Sequence, residues 1–231
     1  MPLNTSTMIP PLHLILIISA AFVSSMSAQL TPVTDIGTHT VSVGVPEKFE
    51  AAFPTARTLK VPTNYSVSIF QAGGLSKPRF MAFSPSGVLH VSDMNSGVVF
   101  AMPDADKDGV ADSMFPVATG FSGNHDVKFF KGAMYVTETT RIWKCTDQDA
   151  DGTYETKEIF ISNLGNNQGG GHTTRTVVFD EQNQKVYVSV GSSCNVCRET
   201  NRAIIEQYDE DGTNKKIISS GIRNAVGLDL P

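Results

Sequence analysis

Asp126-Val127-Lys128-Phe129-Phe130-Lys131-Gly132-Ala133-Met134-Tyr135-Val136-Thr137 decides the fold of this chain. Two short apolar runs flank a tight Lys-Gly turn, and neither sustains the 3.6-residue period of a helix, so the segment reads as two antiparallel strands. The pattern recurs upstream, where Arg79-Phe80-Met81-Ala82-Phe83 precedes Val88-Leu89-His90-Val91-Ser92. It recurs again downstream, where Thr176-Val177-Val178-Phe179 precedes Lys185-Val186-Tyr187-Val188-Ser189. A fourth apolar run, Val226-Gly227-Leu228, closes the sequence. Each unit opens on a Gly or Asn beside a hydrophobe, at Gly74, Gly120, Asn163 and Gly221, and these starts lie 46, 43 and 58 residues apart. Short strands repeating near every fifty residues are the mark of a four-stranded propeller blade, whereas a sandwich has no reason to repeat itself. The expected fold class is therefore all-β, a partial β-propeller of about three and a half blades over residues 65–231. Closed propellers have roughly four to eight blades and an open stack leaves bare edges, so the chain is expected to be C-terminally truncated relative to a longer parent.

The 231 residues are 40% hydrophobic and 18% charged, enough apolar material for one good core and too little charge for a disordered chain. A net charge of −5 offers no basic face to a phosphate backbone, which excludes nucleic acid as a partner. The apolar run Leu12–Val23, followed by Ser24-Ser25-Met26-Ser27-Ala28, reads as a secretory signal peptide over residues 1–28. It is shorter than the roughly 20 residues a membrane span needs, so the mature protein is expected to be secreted and free of the membrane. Residues 29–64 show no clear period and read as an extended N-terminal lead-in. Asn64-Tyr65-Ser66 is a glycosylation sequon that suits a secreted surface loop.

Three cysteines are too few for a disulfide framework. Cys194 and Cys197 can close a small loop in an oxidising compartment; a zinc half-site is the competing reading, but no second Cys or His pair completes it. Cys145 is then either a buried free thiol or bonded outside this chain.

Two acidic loops stand between outer strands. Asp104-Ala105-Asp106-Lys107-Asp108-Gly109 places carboxylates at alternate positions, and Asp147-Gln148-Asp149-Ala150-Asp151-Gly152, with Glu155 and with Glu158 at the twelfth position, follows a calcium-loop pattern. The helices that flank such loops elsewhere are missing, and Asp-Gly turns between strands explain the same residues. Asp147, Asp149, Asp151 and Glu158 are thus candidate ligands of a structural calcium ion, with an ordinary turn as the alternative.

In a propeller, the loops that lead into the innermost strands converge at one mouth of the central channel. Here those loops hold Gly123-Asn124-His125-Asp126, Gly169-Gly170-Gly171-His172-Thr173-Thr174-Arg175 and Gly221-Ile222-Arg223-Asn224. Glycines let backbone approach a flat ligand, an imidazole accepts a proton near neutral pH, and a guanidinium forks onto a carboxylate. Each residue also has a structural explanation as a loop tie; together they predict a small polar or anionic ligand at this mouth.

Lys77-Pro78-Arg79-Phe80-Met81-Ala82-Phe83, Gly170-Gly171-His172-Thr173-Thr174-Arg175-Thr176, Val190-Gly191-Ser192-Ser193-Cys194-Asn195-Val196-Cys197 and Gly221-Ile222-Arg223-Asn224-Ala225-Val226-Gly227-Leu228 resemble the soluble quinoprotein glucose/sorbosone dehydrogenases. Within them the resemblance is nearest to secreted pyranose dehydrogenase propellers that use pyrroloquinoline quinone. It implies a six-bladed propeller holding pyrroloquinoline quinone and calcium at the channel mouth. His172 then matches the general base that takes the proton of the sugar's anomeric hydroxyl as hydride passes to the quinone. Arg223 and Asn224 match cofactor contacts, with Arg175 and His125 as further candidates at the same mouth. A sugar substrate and an external electron acceptor are the implied partners. Further quinone and calcium contacts belong to later blades, so this chain alone is expected to bind the cofactor poorly or not at all. A non-catalytic propeller that binds carbohydrate or protein is the alternative; a metal-dependent lactone hydrolase fits less well, because the acids cluster on outer turns.

Overall fold

The computed structural model describes residues 37–167 and 170–230. Residues 1–28, expected as a signal peptide, and Gly169 lie outside the described residues. Fourteen strands run in chain order: β1 Thr38–Ser42, β2 Thr58–Pro62, β3 Pro78–Phe83, β4 Leu89–Asp93, β5 Val98–Met102, β6 Phe115–Ala118, β7 Val127–Phe130, β8 Ala133–Thr137, β9 Ile142–Thr146, β10 Thr156–Ile161, β11 Val177–Asp180, β12 Lys185–Val190, β13 Ile204–Asp209 and β14 Lys216–Ser220. Strands β3 to β6, β7 to β10 and β11 to β14 form three four-stranded antiparallel meanders, and β1 pairs with β2. The three meanders are propeller blades, as the fifty-residue repeat predicts.

Inside a blade stack, a strand has neighbours on both faces, and β8 shows the consequence. Met134 and Val136 pack with Val99, Val117 and Val127 toward the first blade. Their alternates Ala133 and Tyr135 pack with Val177, Val186, Val188 and Tyr208 toward the third. All five residues of β8 are buried, because the pleat sends successive side chains into two different interfaces. Cys145 sits in the first of these interfaces as a free thiol, pushed up to about 12 by burial and therefore inert as a nucleophile. The first blade's innermost strand is covered on one side only: Phe80 and Ala82 are half-buried, while Met81 and Phe83 are 60% and 68% exposed.

Hydrogen bonds between blades repeat at the blade period. The His125 Nδ1–H donates to the Arg175 carbonyl, Thr174 Oγ1 to Asn224 Oδ1 and Thr176 Oγ1 to the Val226 carbonyl, each pair fifty residues apart. The Val177 amide donates to Asp126 Oδ2 at a separation of 51. The run Val226-Gly227-Leu228 thus lies beside the third blade where the repeat puts it, without joining a strand ladder.

The segment expected as an extended lead-in carries regular structure among its described residues, 37–64. It holds the β1–β2 pair and a short 3-10 helix, Glu47–Ala52, and these strands are mostly exposed, which is why no alternation announced them. Phe70 and Leu75 then pack on the outer face of the first blade with Val91, Met102 and Ala111.

Candidate active site at the loop end of the blades

The loop before β11 and the loop between β12 and β13 meet at one end of the third blade. The His172 amide donates to the Ser192 carbonyl (2.8 Å), and the Ser192 amide donates in turn to the Arg223 carbonyl (2.8 Å). One serine backbone therefore fixes both the histidine and the arginine, which are 51 residues apart. Gly191 explains why Asn224 can join them: a Cβ at this position would lie 2.6 Å from both Asn224 Oδ1 and His172 Cβ. The structure thus brings His172, Arg223 and Asn224 together. Gly171, at φ +58°, passes so near the other loop that a Cβ would fall 2.1 Å from the Ser193 carbonyl oxygen.

Cys194 and Cys197 form a disulfide that closes the turn beside these residues, with Cα atoms 5.7 Å apart. Within this turn Asn195 Oδ1 accepts a hydrogen bond from Arg223 Nη2, and Ser192 Oγ donates to the Cys194 carbonyl (2.5 Å). Arg223 remains solvent-exposed, its guanidinium oriented by Asn195 and available to an anionic or carbonyl ligand.

Arg175 and His125 occupy different places from the mouth expected for them. Arg175 is 0% exposed and donates through Nη1 to the carbonyls of His172 (3.0 Å) and Thr174 (2.8 Å). Burial and the neighbouring Arg202 lower it to about 10, still cationic at neutral pH. His125 lies beneath the same loop, its ring 4.8 Å from the Phe80 ring. Burial, set against a hydrogen bond to the Arg175 carbonyl, lowers His125 to about 4, so the imidazole is neutral with its proton on Nδ1. Beside it, burial raises Asp126 to about 6 against the pull of Lys128. These groups build the wall of the site.

Sequence reading missed Ser192, Asn195 and Arg202. Ser192 and Asn195 stand in a stretch whose cysteines took the attention. For Arg202 the available signal was its place just before the strand Ile204–Asp209, whose alternate residues are buried, so that a cation there has to find acceptors inside the protein.

The acidic turns lie at the opposite end of the strands. Asp147, Asp149, Asp151 and Glu155 bring one oxygen each within 4.8 Å of one another, and Asp104, Asp106 and Asp108 form a second such group. Glu158 stands apart, on β10, 3.4 Å from Lys144, and Glu155 joins the group by accepting from the Gln148 amide. A groove of about 760 Å³ also opens at this end, between Lys131, Tyr135, Phe160 and Lys185. The ion pair Lys131–Glu210 joins the second blade to the third across it, Lys185–Asp209 lies within the third blade, and the groove is away from His172.

Three four-stranded blades, with an imidazole, a guanidinium and an amide brought to one loop end, define part of a β-propeller. The TrAA12-like family model matches residues 59–230, and the chain belongs to that family. Among solved structures it is similar to the holo form of the pyranose dehydrogenase PQQ domain from Coprinopsis cinerea, at 22% identity and a TM-score of 0.64 over 73% of this chain and 44% of that one. It is also similar to the iodide structure of a family AA12 carbohydrate-active enzyme from Trichoderma reesei, at 20% identity and a TM-score of 0.59 over 85% and 46%. The calcium structure of that AA12 enzyme gives 22% and 0.52 over 60% and 36%. An uncharacterized protein of Borreliella burgdorferi is 23% identical over 191 residues, 78% of this chain and 48% of its own length. The chain therefore spans about half the length of the proteins it matches. Among the described residues, no helix is long and apolar enough to cross a membrane.

Proposed function

We propose that this chain forms part of a secreted oxidoreductase that oxidises the anomeric hydroxyl of a sugar with pyrroloquinoline quinone, passing the electrons to an external acceptor. The observation that carries this reading is the convergence of His172 and Arg223 on the Ser192 backbone with Asn224 beside Gly191, because it brings a proton acceptor near donors suited to a carboxylate-bearing quinone. The donor set fits that group: Arg223 presents an oriented, exposed guanidinium, Asn224 an amide, and Gly191 leaves the space in which they and His172 approach each other. When bound, the quinone supplies a two-electron acceptor for the hydrogen on the anomeric carbon. The chain's part is then to accept the hydroxyl proton at an unprotonated ring nitrogen of His172, while Arg223 and Asn224 hold and orient the acceptor. Removing that proton raises electron density on the carbinol carbon, which favours departure of hydride. Calcium is the accompanying cation of this reading, and the Cys194–Cys197 disulfide supports an oxidising, extracellular setting.

The experiment is to supply pyrroloquinoline quinone and calcium to the described chain and to a longer parent, and to follow sugar-dependent reduction of a dye. Turnover by the parent that disappears in His172→Ala supports the proposal. Quinone and sugar binding without turnover in the unsubstituted parent favours a recognition propeller instead.

A further inference from the structure

We infer that Arg202 is a positioning residue that sets the place of His172. This rests on the functional reading above for its catalytic meaning, and on geometry alone for its structural one.

Beyond the β11–β12 ladder, which ends at the Ser189 amide on the Thr176 carbonyl, the two loops share the backbone bond from the His172 amide to the Ser192 carbonyl, and side chains supply the rest of their register. Arg202, 1% exposed, stands at the end of the disulfide-bearing loop and donates to carbonyls of both. Its Nε donates to Gly191 O (2.8 Å), and its Nη2 donates to Gly170 O (2.8 Å), His172 O (2.9 Å) and Ser192 O (3.1 Å). Gly170 and His172 belong to the histidine loop, Gly191 and Ser192 to the other. A guanidinium is suited to this task because its donors are fixed in one plane, so the carbonyls it gathers take fixed positions relative to one another.

The His172 carbonyl accepts from Arg175 as well, and its amide is held by Ser192. The backbone on both sides of the half-buried imidazole is thus anchored. Two buried guanidiniums sharing one carbonyl repel each other, and the wholly buried Glu206 on β13 offsets the charge from nearby. An apolar side chain in this space would avoid burying a cation but would take this donor from the Gly170, Gly191, His172 and Ser192 carbonyls, so what the guanidinium adds over simple packing is a fixed arrangement of those carbonyls around His172.

The test compares Arg202→Gln and Arg202→Lys with the unsubstituted full chain by amide hydrogen exchange, which needs neither quinone nor sugar. Exchange over residues 170–175 is expected to rise about tenfold or more in Arg202→Gln, with the strands β8 and β12 as protected as before. Arg202→Lys, which keeps the charge and loses the planar fork, is expected to fall between the two and serves if the glutamine variant does not fold. In a quinone-loaded parent the same variants are expected to lower kcat by about 10- to 100-fold with KM nearly unchanged. Unchanged exchange at 170–175 in a folded variant overturns the inference, as does exchange raised equally in all three blades. Localised loosening in a protein that oxidises no sugar would sink the functional reading and leave the positioning role standing.

Discussion

The two ends of the blades are built from similar polar residues and behave differently. Within the acidic turns the carboxylates bond locally: Asp104 accepts from the amides of Asp108 and Gly109, and Asp147 from those of Ala150 and Gly152, while at the same end Lys131 reaches Glu210, 79 positions away, in a solvent-accessible ion pair. At the loop end hydrogen bonds join residues 28 to 51 positions apart, through His125, Thr174, Thr176, Asp126, Arg202 and Arg223. A local bond costs little chain entropy and fixes only its own turn; a distant one orders two segments at once. Carboxylates cluster at the acidic end, whereas the candidate residues His172, Arg223 and Asn224 stand at the other. Long-range order of polar groups is the better guide to the site.

The contrast can be broken most severely at His172. His172→Ala is expected to reduce sugar oxidation by the quinone-loaded parent by about 10²- to 10⁴-fold, the usual range for loss of a general base, with its melting temperature little changed. A variant with unimpaired turnover removes the imidazole from the mechanism.

Gly171→Ala attacks the close approach of the two loops. A Cβ 2.1 Å from the Ser193 carbonyl, on a backbone at φ +58°, is expected to cost about 2 kcal/mol or more, and the variant's thermal midpoint measures it. The same substitution at Gly152 of the acidic turn, where a Cβ meets nothing, is expected to cost only its backbone strain of about 1 kcal/mol. Equal losses at the two positions would erase the distinction between the ends.

His125 and Asp126 sharpen the comparison through pH. With His125 lowered from 6.5 to about 4, its contribution is whole above pH 6.5 and is lost as pH falls toward 4, because the unfolded state takes up the proton first. Asp126, raised from 3.8 to about 6, acts oppositely: its protonated form favours the fold below pH 3.8, and that stability is lost as pH rises through 6. The two slopes offset each other between pH 4 and 6. Asp126→Asn keeps an acceptor for the Val177 amide and removes one slope. Its midpoint is expected to fall more steeply on acidification than that of the unsubstituted protein, by about 1 to 3 kcal/mol across the window. Parallel pH curves would show that the carboxyl is not held neutral.

Asp149→Asn carries the smallest expected effect. In calcium-free buffer its midpoint is expected to stay within about 0.5 kcal/mol, as for an exposed turn. A calcium-dependent rise of midpoint that this variant loses would mark the turn as a cation site; identical behaviour with and without calcium leaves it a turn.

How much of this was legible in the chain follows from the range of each interaction. The apolar runs around Val127, Val177 and their hairpin partners reveal blades because a strand's alternation is written in adjacent residues. The candidates His172, Arg223 and Asn224 were visible because repetition aligned their loops. Arg175 and His125 shared those loops, and only packing shows their side chains turned inward, toward carbonyls and the Phe80 ring. Glu158 fitted a linear calcium pattern, whereas the turn's own closure selects Glu155.

By itself, then, the order of amino acids determined the strands, their grouping into blades and which loops meet at one end. Local periodicity and turn chemistry suffice for that. Tertiary structure decided which polar side chains line the site and which support it. Arg175, Arg202 and Arg223 are chemically alike as residues, and they are distinguished only by the carbonyls, carboxylate and solvent that the folded chain sets around each guanidinium.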